Sequence, residues 1–358
     1  MVKKTMKISM QHSDLYVRRT HRWESIWQEV RLSAESEEML KKSFYRSVRV
    51  VLDDFAVYYG LDISIEENSD YNSADLLDGF LRKVNQFIGR RLYIMIDEYD
   101  HFANAILSNR QTFTKITSKE GFVRSFYEVF KYHTSGSCID RLFITGVTSL
   151  TLDSLTSGFN IAQNVSMFPE LNEMAGFTNE ETKSLLKEVA AANKESAPNL
   201  CSSEKIEETM ELLIENYNGY CFHKNVENKV FNSNMVLYFL DAYQRSKAIP
   251  DGLTDPNMTS DYQKLTAMFD LFEEEESKQE ILEQIMSNES LETDIITDFD
   301  FSLHFEKTDF LSLLFYWGFL TIRGEGTLYD VVLQTPNYVI RDIYYQYYSN
   351  YINNLQKI

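Results

Sequence analysis

The clearest pattern in the chain is a run of five apolar residues, Leu92 to Ile96, that leads without alternation into two adjacent carboxylates, Asp97 and Glu98. A short continuous apolar run is typical of a strand buried on both faces, as in the parallel sheet of an α/β domain. Such a strand brings both acids to its carboxyl end, where open α/β sheets bind ligands. Because adjacent strand residues point to opposite sides, the acids can have different roles. The alternative is a helix start, since acids favour the first helical turn.

Helical periodicity precedes and follows this strand. Apolar residues recur at spacings of three and four over Glu37–Tyr59 and again after Ser73, which is predicted to cap the second helix, while Gly89 is predicted to end it. The other elements predicted here are a strand at Ile26–Leu32, helices at Phe102–Leu107 and Ser118–Lys131, and a second buried strand at Arg141–Val147. The two buried strands are far enough apart for a helical crossover, so residues 25–150 are predicted to form an α/β unit.

Beyond residue 176 the pattern becomes mainly helical. Thr178 precedes a helix whose first turn carries acids, a favourable helix start. The predicted helices are Glu180–Ala192, Glu204–Tyr217, Ser233–Arg245 and Lys307–Tyr316, with short strands at Lys229–Phe231, Phe319–Arg323 and Thr327–Leu333. Pro336 is predicted to open the final helix. The acidic run Glu273–Glu276 is interpreted as a solvated helix face.

The net charge of −19 argues against a broad nucleic-acid or anionic-membrane surface. Residues 1–49 nevertheless hold eleven Lys/Arg against six Asp/Glu, so the remainder carries −24. This basic segment is either a flexible solvated arm or a contact to phosphate or to an acidic partner. The three cysteines lack metal or redox-motif spacing, which favours reduced thiols and a cytoplasmic protein. The near-apolar run Phe310–Ile322 is too short to span a bilayer.

A phosphate-binding loop needs glycines, whose backbone N–H groups approach phosphate, and a lysine that reaches the terminal phosphates. The chain has 13 glycines, and none is followed by lysine. Gly89, before the acidic strand, is in the wrong place for such a loop. Arg18, Arg19 and Arg22 could supply positive charge, but arginines do not replace the backbone cradle.

Hydroxyl side chains follow the second buried strand, at Thr145, Thr148 and Ser149. A hydroxyl at the end of the strand beside the acidic strand could position an attacking water; the alternative is an ordinary threonine in a turn. His101 is either a residue supporting the acids or simply the start of a helix. The histidines His133, His223 and His304 have no partners at metal spacing, so no zinc site is proposed.

Several stretches resemble one family of prokaryotic AAA-ATPase-like proteins, whose members often carry a restriction-endonuclease-like nuclease domain at the carboxyl end. The similar stretches, in the same order, are Ile94–Phe102, Gly121–Lys131, Asp140–Asn160, Asn172–Thr178, Tyr217–Tyr220, Val230–Phe239 and Pro336–Arg341. The resemblance implies that Asp97 and Glu98 are Walker B acids, with Asp97 holding the Mg²⁺ of Mg-ATP and Glu98 acting as the catalytic base. It also implies that Thr145–Ser149 is the sensor region.

The family pattern begins with a Gly-Lys-Ser/Thr loop, which is absent here, and the expected nuclease domain is absent as well. The chain therefore resembles the middle of such a protein: a gene fragment, half of a split system, or a nucleotide-free descendant used as a binding module. The predicted fold is α/β, a truncated P-loop NTPase-like parallel sheet followed by a helical domain and a small winged-helix-like end. The predicted parts are a variable basic arm (1–24), an AAA-like domain (25–175), a helical lid-like domain (176–250) and a helical, winged-helix-like domain (251–358).

The predicted function is that of an AAA-ATPase-like remnant that does not hydrolyse ATP alone and acts, if at all, as an interaction or regulatory module. The alternative is an active Mg-ATP-dependent NTPase whose phosphate site is unorthodox or is completed by a partner or a missing upstream half. A partner surface is suggested by an aromatic stripe on the last helix, formed by Tyr344, Tyr347, Tyr348 and Tyr351. That stripe either belongs to the core or is exposed and binds a protein.

Overall fold

The computed structural model describes residues 7–10, 37–63, 70–88, 91–97, 99, 121–136, 138–146, 162–250, 252–253, 258–272, 275–287, 289–297 and 306–355. The chain divides into two compact units. Unit 1 comprises Met1–Gln163 with Thr297–His304, and unit 2 comprises Asn164–Ile296 with Phe305–Ile358. The four-part division predicted from the sequence stays a prediction. The elements predicted at Ile26–Leu32 and Phe102–Leu107, and the helix end at Gly89, lie outside the described residues.

Unit 1 contains a three-stranded sheet in the order β1 (Lys7–Met10), β2 (Leu92–Ile96), β3 (Ile139–Ile144). The predicted parallel pairing of β2 with β3 is confirmed, and β1 runs antiparallel to β2. Lys7–Met10, part of the segment predicted to be a basic arm, pairs with β2 instead of extending freely. A strand of four residues is too short to show a periodicity in its sequence. It is recognised only by its pairing with β2.

Burial in the sheet is one-sided, which corrects the prediction of strands buried on both faces. Leu92, Ile94 and Ile96 are buried, whereas the alternate positions of β2 are only half-buried. On β3 the side chain of Phe143 is 36% exposed. A continuous apolar sequence therefore does not distinguish a strand that is covered on both faces from one that is covered on a single face.

Three helices of unit 1 form its core: α1 (Glu37–Tyr58), α2 (Ser73–Ile88) and α3 (Phe122–Ser135). Their existence confirms the periodic pattern, and most of the predicted apolar stripes of α1 and α2 are buried. Phe87, predicted to lie on the buried face of α2, is instead 63% exposed near the end of that helix. Rings from α1 and α3 meet in the core, with the centroids of Phe44 and Phe126 5.0 Å apart. Because α3 lies between β2 and β3 in the chain, it belongs to the helical crossover that a parallel pair requires.

The amino terminus of α2 is capped by Asn72, which corrects the prediction of Ser73. The Asn72 Oδ1 atom accepts hydrogen bonds from the backbone N–H groups of Ala74, at 3.0 Å, and Asp75, at 3.3 Å. Ser73 is the first helical residue, and its buried hydroxyl has no hydrogen-bond partner. Both residue types favour capping positions, so composition alone could not choose between neighbours.

We expect Asn72→Ala to lower the free energy of unfolding by about 1 kcal/mol, because two backbone donors at the helix start lose their acceptor. Ser73→Ala should be neutral or stabilising, since it removes an unsatisfied buried hydroxyl. Urea unfolding of the two variants, followed by circular dichroism, measures both changes. A larger loss for Ser73→Ala than for Asn72→Ala would contradict this assignment of the cap.

Unit 2 begins with a helical core made by α4 (Asn179–Ala192), α5 (Ser203–Tyr217) and α6 (Ser233–Ser246). The predicted start of α4 is confirmed: the Thr178 side chain accepts from the Glu181 N–H at 3.2 Å, and the Glu181 carboxylate accepts from the Thr178 N–H at 2.9 Å. This reciprocal capping box satisfies two helix-end donors. The predicted bounds of α5 and α6 agree with the structure to within one residue at each end.

The remainder of unit 2 combines helices with a second antiparallel sheet. Its elements are α7 (Met258–Leu271), α8 (Glu275–Met286), β4 (Leu291–Thr293), α9 (Lys307–Tyr316), β5 (Thr321–Glu325), β6 (Val331–Gln334) and α10 (Tyr338–Leu355). The strand order is β4-β6-β5. None of the helices in the described part of the chain is long and apolar enough to cross a membrane.

The structure shifts the boundaries of the last strands and helix. Phe319 and Leu320 were predicted to start a strand, but their N–H groups donate to the carbonyl of Leu314 and so belong to the turn after α9. Pro336 was predicted to open the final helix, but α10 begins at Tyr338. The Oδ1 atom of Asn337 accepts from the Ile340 N–H at 3.1 Å, so Asn337 caps the helix instead.

The tyrosine stripe of α10 packs largely against the rest of unit 2. Tyr344 and Tyr347 are buried, which is contrary to an exposed surface at these positions, while Tyr348 and Tyr351 are half-buried. The ring of Tyr347 stacks on that of Phe269 from α7, with centroids 4.6 Å apart. For the two buried rings the core alternative is therefore the one that the structure supports.

The turn after α5 joins the helical core to the second sheet. The Asn337 amide donates to the carbonyl of Asn218 at 3.0 Å, and the Cys221 N–H donates to the hydroxyl of Thr321 at 2.8 Å. Gly219 lies between these contacts with φ +110°, a conformation that residues with a Cβ rarely adopt. The turn around Gly219 therefore packs the helical core against the second sheet within unit 2.

Candidate functional site

The parallel pairing of β2 and β3 brings Asp97 and Thr145 together. Ile96 and Ile144, the last residues of the two strands, are opposite each other. The ladder continues past them, because the Thr145 N–H donates to the Ile96 carbonyl at 2.8 Å and the Tyr99 N–H donates to the Thr145 carbonyl at 3.1 Å. The next residues after the strands are therefore held by backbone hydrogen bonds.

The two predicted site residues are in direct contact. The Thr145 hydroxyl donates to Asp97 Oδ1 at 2.5 Å, and both side chains are partly buried. A hydrogen bond to an ionised carboxylate is stronger than one between neutral groups, so this contact fixes the orientation of both side chains. The structure thus unites one predicted acid with one predicted hydroxyl at the edge where open α/β sheets bind ligands.

An extra residue in β3 determines which side chain faces Asp97. Leu92 pairs with Ile139, but the next residue of β2 pairs with Arg141, so Asp140 forms a bulge. With an uninterrupted register, Ile144 rather than Thr145 would be opposite Asp97. The bulge thereby aligns a hydroxyl with the acid. Sequence reasoning missed it, because a single additional residue leaves no clear mark on a six-residue strand.

The remaining predicted site residues lie outside the described residues. These are Glu98, His101, Thr148, Ser149 and the arginines Arg18, Arg19 and Arg22. Their predicted roles therefore stay predictions. Within the described ranges, no group of three or more His, Cys, Asp or Glu side chains is arranged to hold a metal ion.

The oxygen atoms of Asp97 and Thr145 fit a hydrated Mg²⁺ better than a metal bound only by protein. Mg²⁺ typically keeps several waters and takes one or two carboxylates together with substrate phosphates. One carboxylate and one hydroxyl match that ligand set, whereas soft metals would require Cys or His ligands. The arrangement can contribute to a magnesium–phosphate site, and by itself it has no group that cradles phosphate.

A second polar contact in unit 1 was missed by the sequence reasoning. His133, considered there only as a possible metal ligand, is 5% exposed, and its Nε2 atom lies 2.8 Å from Asp78 Oδ1. Arg82 donates to the other oxygen of Asp78 at 2.7 Å. The spacing of 55 residues between the acid and the histidine gave no local signal, since only the packing of α2 on α3 brings them together.

The AAA-ATPase-like family model, described as a predicted AAA-ATPase, matches residues 10–156, which is less than half of the chain. The matched segment contains all of β2, α3 and β3, and hence Asp97 and Thr145. No curated protein and no solved structure matches the chain.

Proposed function

We propose that this chain is an AAA-ATPase-like protein that retains the acidic strand end and does not hydrolyse ATP alone. The match of residues 10–156 to the model of that family supports the first part of the proposal. One observation carries the proposal: no glycine among the 13 is followed by lysine. Without a glycine-rich loop there is no backbone cradle for phosphate and no positioned lysine. The chain then acts as an interaction or regulatory module.

The fold proposed for unit 1 is a truncated P-loop NTPase-like sheet. Two neighbouring parallel strands, one ending in a carboxylate and the next in a hydroxyl, support it. In this proposal Asp97 would hold Mg²⁺, Glu98 would act as the base toward the attacking water, and Thr145 and Thr148 would form the sensor region. Mg²⁺ would neutralise charge that develops on the transferred phosphoryl group. Thr145 orients the Asp97 carboxylate through its hydrogen bond.

The second candidate is an active ATPase whose phosphate site is completed by a partner, by an upstream half, or by Arg18, Arg19 and Arg22. The contact between Asp97 and Thr145 favours it, because a carboxylate that is already oriented is the part such a site would reuse. Arginines bind phosphate strongly but present a planar fork rather than a cradle of backbone donors.

Titration with Mg-ATP distinguishes the two candidates. For this chain alone we expect no ATPase activity and no rise in melting temperature at millimolar Mg-ATP, because a ligand raises the melting temperature only if it binds the folded state. The measurement is differential scanning fluorimetry with a parallel phosphate-release assay. A clear rise that depends on Mg-ATP, and is abolished by Asp97→Ala, would establish the active alternative.

The same assay with Glu98→Gln separates catalysis from binding. In an active enzyme this change keeps nucleotide binding but slows hydrolysis by roughly 10²–10⁴-fold, the range of acid–base groups. In the inactive protein the change should be neutral or slightly stabilising, since it removes one of two adjacent carboxylates that repel each other. Thr145→Ser, which keeps the hydroxyl, serves as the conservative control.

The sheet of unit 2 supports the further proposal of a winged-helix-like end. The order β4-β6-β5, with α9 between β4 and β5 and a hairpin joining β5 to β6, has the connectivity of such a module. Unit 2 has 31 Asp/Glu against 14 Lys/Arg, which gives −17 of the chain's −19. That charge disfavours binding to nucleic acid, so a protein partner is the better match for this module.

A further inference from the structure

Two helices precede, in the chain, the two strands that end next to Asp97 and Thr145. The helix α2 ends at Ile88, shortly before β2, and α3 ends at Ser135, shortly before β3. The first ladder bond joins the strands at their amino ends, where the Leu92 N–H donates to the Cys138 carbonyl at 2.7 Å. Whatever fixes α2 against α3 therefore also fixes where the two strands begin relative to each other.

The contact between His133 and Asp78 fixes these helices. With Asp78 ionised, His133 Nε2 donates to Asp78 Oδ1 across 2.8 Å, and the histidine is almost fully buried. A second tie lies close by in the chain, since the Cys138 thiol donates to the Leu81 carbonyl at 3.3 Å. Burial raises the pKa of this thiol to about 11, which keeps it protonated as a donor.

Apolar side chains surround the contact between His133 and Asp78, and the hydrogen bond adds a directional constraint to their packing. The nearest turns of the two helices bury Phe80, Leu81, Val84, Phe126 and Phe130. The close-packed apolar side chains hold the helices together, and a hydrogen bond to a charged group adds one favourable geometry to that packing. The contact therefore sets the position of α3 along α2.

We propose that Asp78 and His133 are positioning residues for the Asp97–Thr145 pair, because their contact holds the helices in the register that keeps the Thr145 hydroxyl against the carboxylate. The inference rests on the proposed function only in taking that pair as the functional site. Neither positioning residue touches Asp97 or Thr145. They act from the opposite end of the sheet, where Cys138 contacts both α2, through the Leu81 carbonyl, and β2, through the Leu92 N–H.

The charged and titratable groups that face Asp78 give the contact a pH dependence. They are Arg82 on α2 and His133 on α3, and the ring of Tyr132 lies over the Arg82 guanidinium at 5.2 Å. Burial raises the pKa of Asp78, but the hydrogen bonds from Arg82 and His133 outweigh burial and leave that pKa lowered. A lowered pKa means that the carboxylate stabilises the fold above the ordinary Asp value of about 3.9. This contribution is lost as the pH falls through the folded-state value.

Hydrogen exchange at the strand ends tests the proposal without any nucleotide. The readout is mass-spectrometric exchange of peptides covering residues 92–99 and 139–146, which include the amides of Tyr99 and Thr145. In the full chain at pH 7, Asp78→Asn and His133→Gln should each speed exchange there about fivefold, since a partly exposed charged hydrogen bond changes local opening by that order. A peptide from α1, covering residues 40–52, should change less than twofold.

The matched control is Glu128→Gln, which removes a carboxylate that pairs with Arg124 within α3 and does not reach α2. It should leave both strand-end peptides unchanged. The ratio of the exchange rate in Asp78→Asn to that in the unmodified chain should fall toward one only below about pH 4, so the pH is lowered stepwise from 7 to about 2. Uniform acceleration across unit 1, equal acceleration by Glu128→Gln, or a ratio independent of pH would each overturn the proposal. If Asp78→Asn does not fold, His133→Gln carries the test at pH 7. Because no nucleotide is added, a negative Mg-ATP titration does not affect the outcome.

Discussion

Gly219→Ala is expected to be the most damaging single change in unit 2, lowering the free energy of unfolding by more than about 4 kcal/mol. A Cβ atom at this position would lie 2.0 Å from the carbonyl oxygen of Pro336 and 2.8 Å from its carbonyl carbon. Neither backbone atom can move alone, because Asn337, the next residue, donates to the Asn218 carbonyl. The clash would therefore separate the turn after α5 from the start of α10.

Backbone conformation adds to this clash. Gly219 has φ +110°, and a residue with a Cβ pays roughly 1–3 kcal/mol in such a region even where space is available. Urea unfolding followed by tryptophan fluorescence measures the loss. The control is Gly324→Ala in β5, where a Cβ would meet no heavy atom within 4 Å. Equal stability of the two variants would show that the turn does not carry the packing we assign to it.

Asn172→Ala is expected to destabilise unit 2 by about 2–4 kcal/mol. The side chain is 1% exposed, its Oδ1 atom accepts from the Phe222 N–H at 2.8 Å, and its Nδ2 atom donates to the Asn228 carbonyl at 2.9 Å. Alanine removes both partners at once and leaves the partly buried N–H of Phe222 without its acceptor. Such a group costs more than the hydrogen bond itself is worth.

The control for this second prediction is Asn225→Ala, which changes an exposed asparagine of the loop that Asn172 contacts through Phe222 and Asn228. It should alter stability by less than about 0.5 kcal/mol. Asn172→Asp adds a further test, because it keeps an acceptor for the Phe222 N–H but places a charge in a buried site. That variant should be destabilised at neutral pH and recover partly in acid. A neutral Asn172→Ala would mean that this loop is held by other contacts.

Helices were the part of the fold that the sequence predicted best, because their evidence is local. The stripe on α1 and the helix start at Thr178, with its acidic first turn, each depend on residues close together in the chain, and both are confirmed. Strand identity was predictable for β2 and β3, but not their one-sided burial, since an apolar run does not reveal what covers each face. Strand β5 begins at Thr321 and not at the predicted Phe319, because Phe319 and Leu320 belong to the turn after α9.

For the candidate site, residue type and order predicted Asp97 and Thr145, and the ladder brought them together. The sequence could not predict the contact between Asp78 and His133, because it depends on the packing of helices far apart in the chain. The extra residue at Asp140 was equally hidden, since pairing register is a property of two strands.

The bulge at Asp140 accommodates one additional residue between two positions of β3 whose partners on β2 are adjacent. Upstream of it, Ile139 must face the buried side of the sheet, and downstream of it Thr145 must reach Asp97. Because Asp140 has no partner of its own on β2, both of these pairings are kept. A chain one residue shorter at this point would pair Ile139 and Arg141 with the same partners in an unbroken ladder. Loss of Asp140 alone would therefore leave the Thr145 hydroxyl opposite the Asp97 carboxylate.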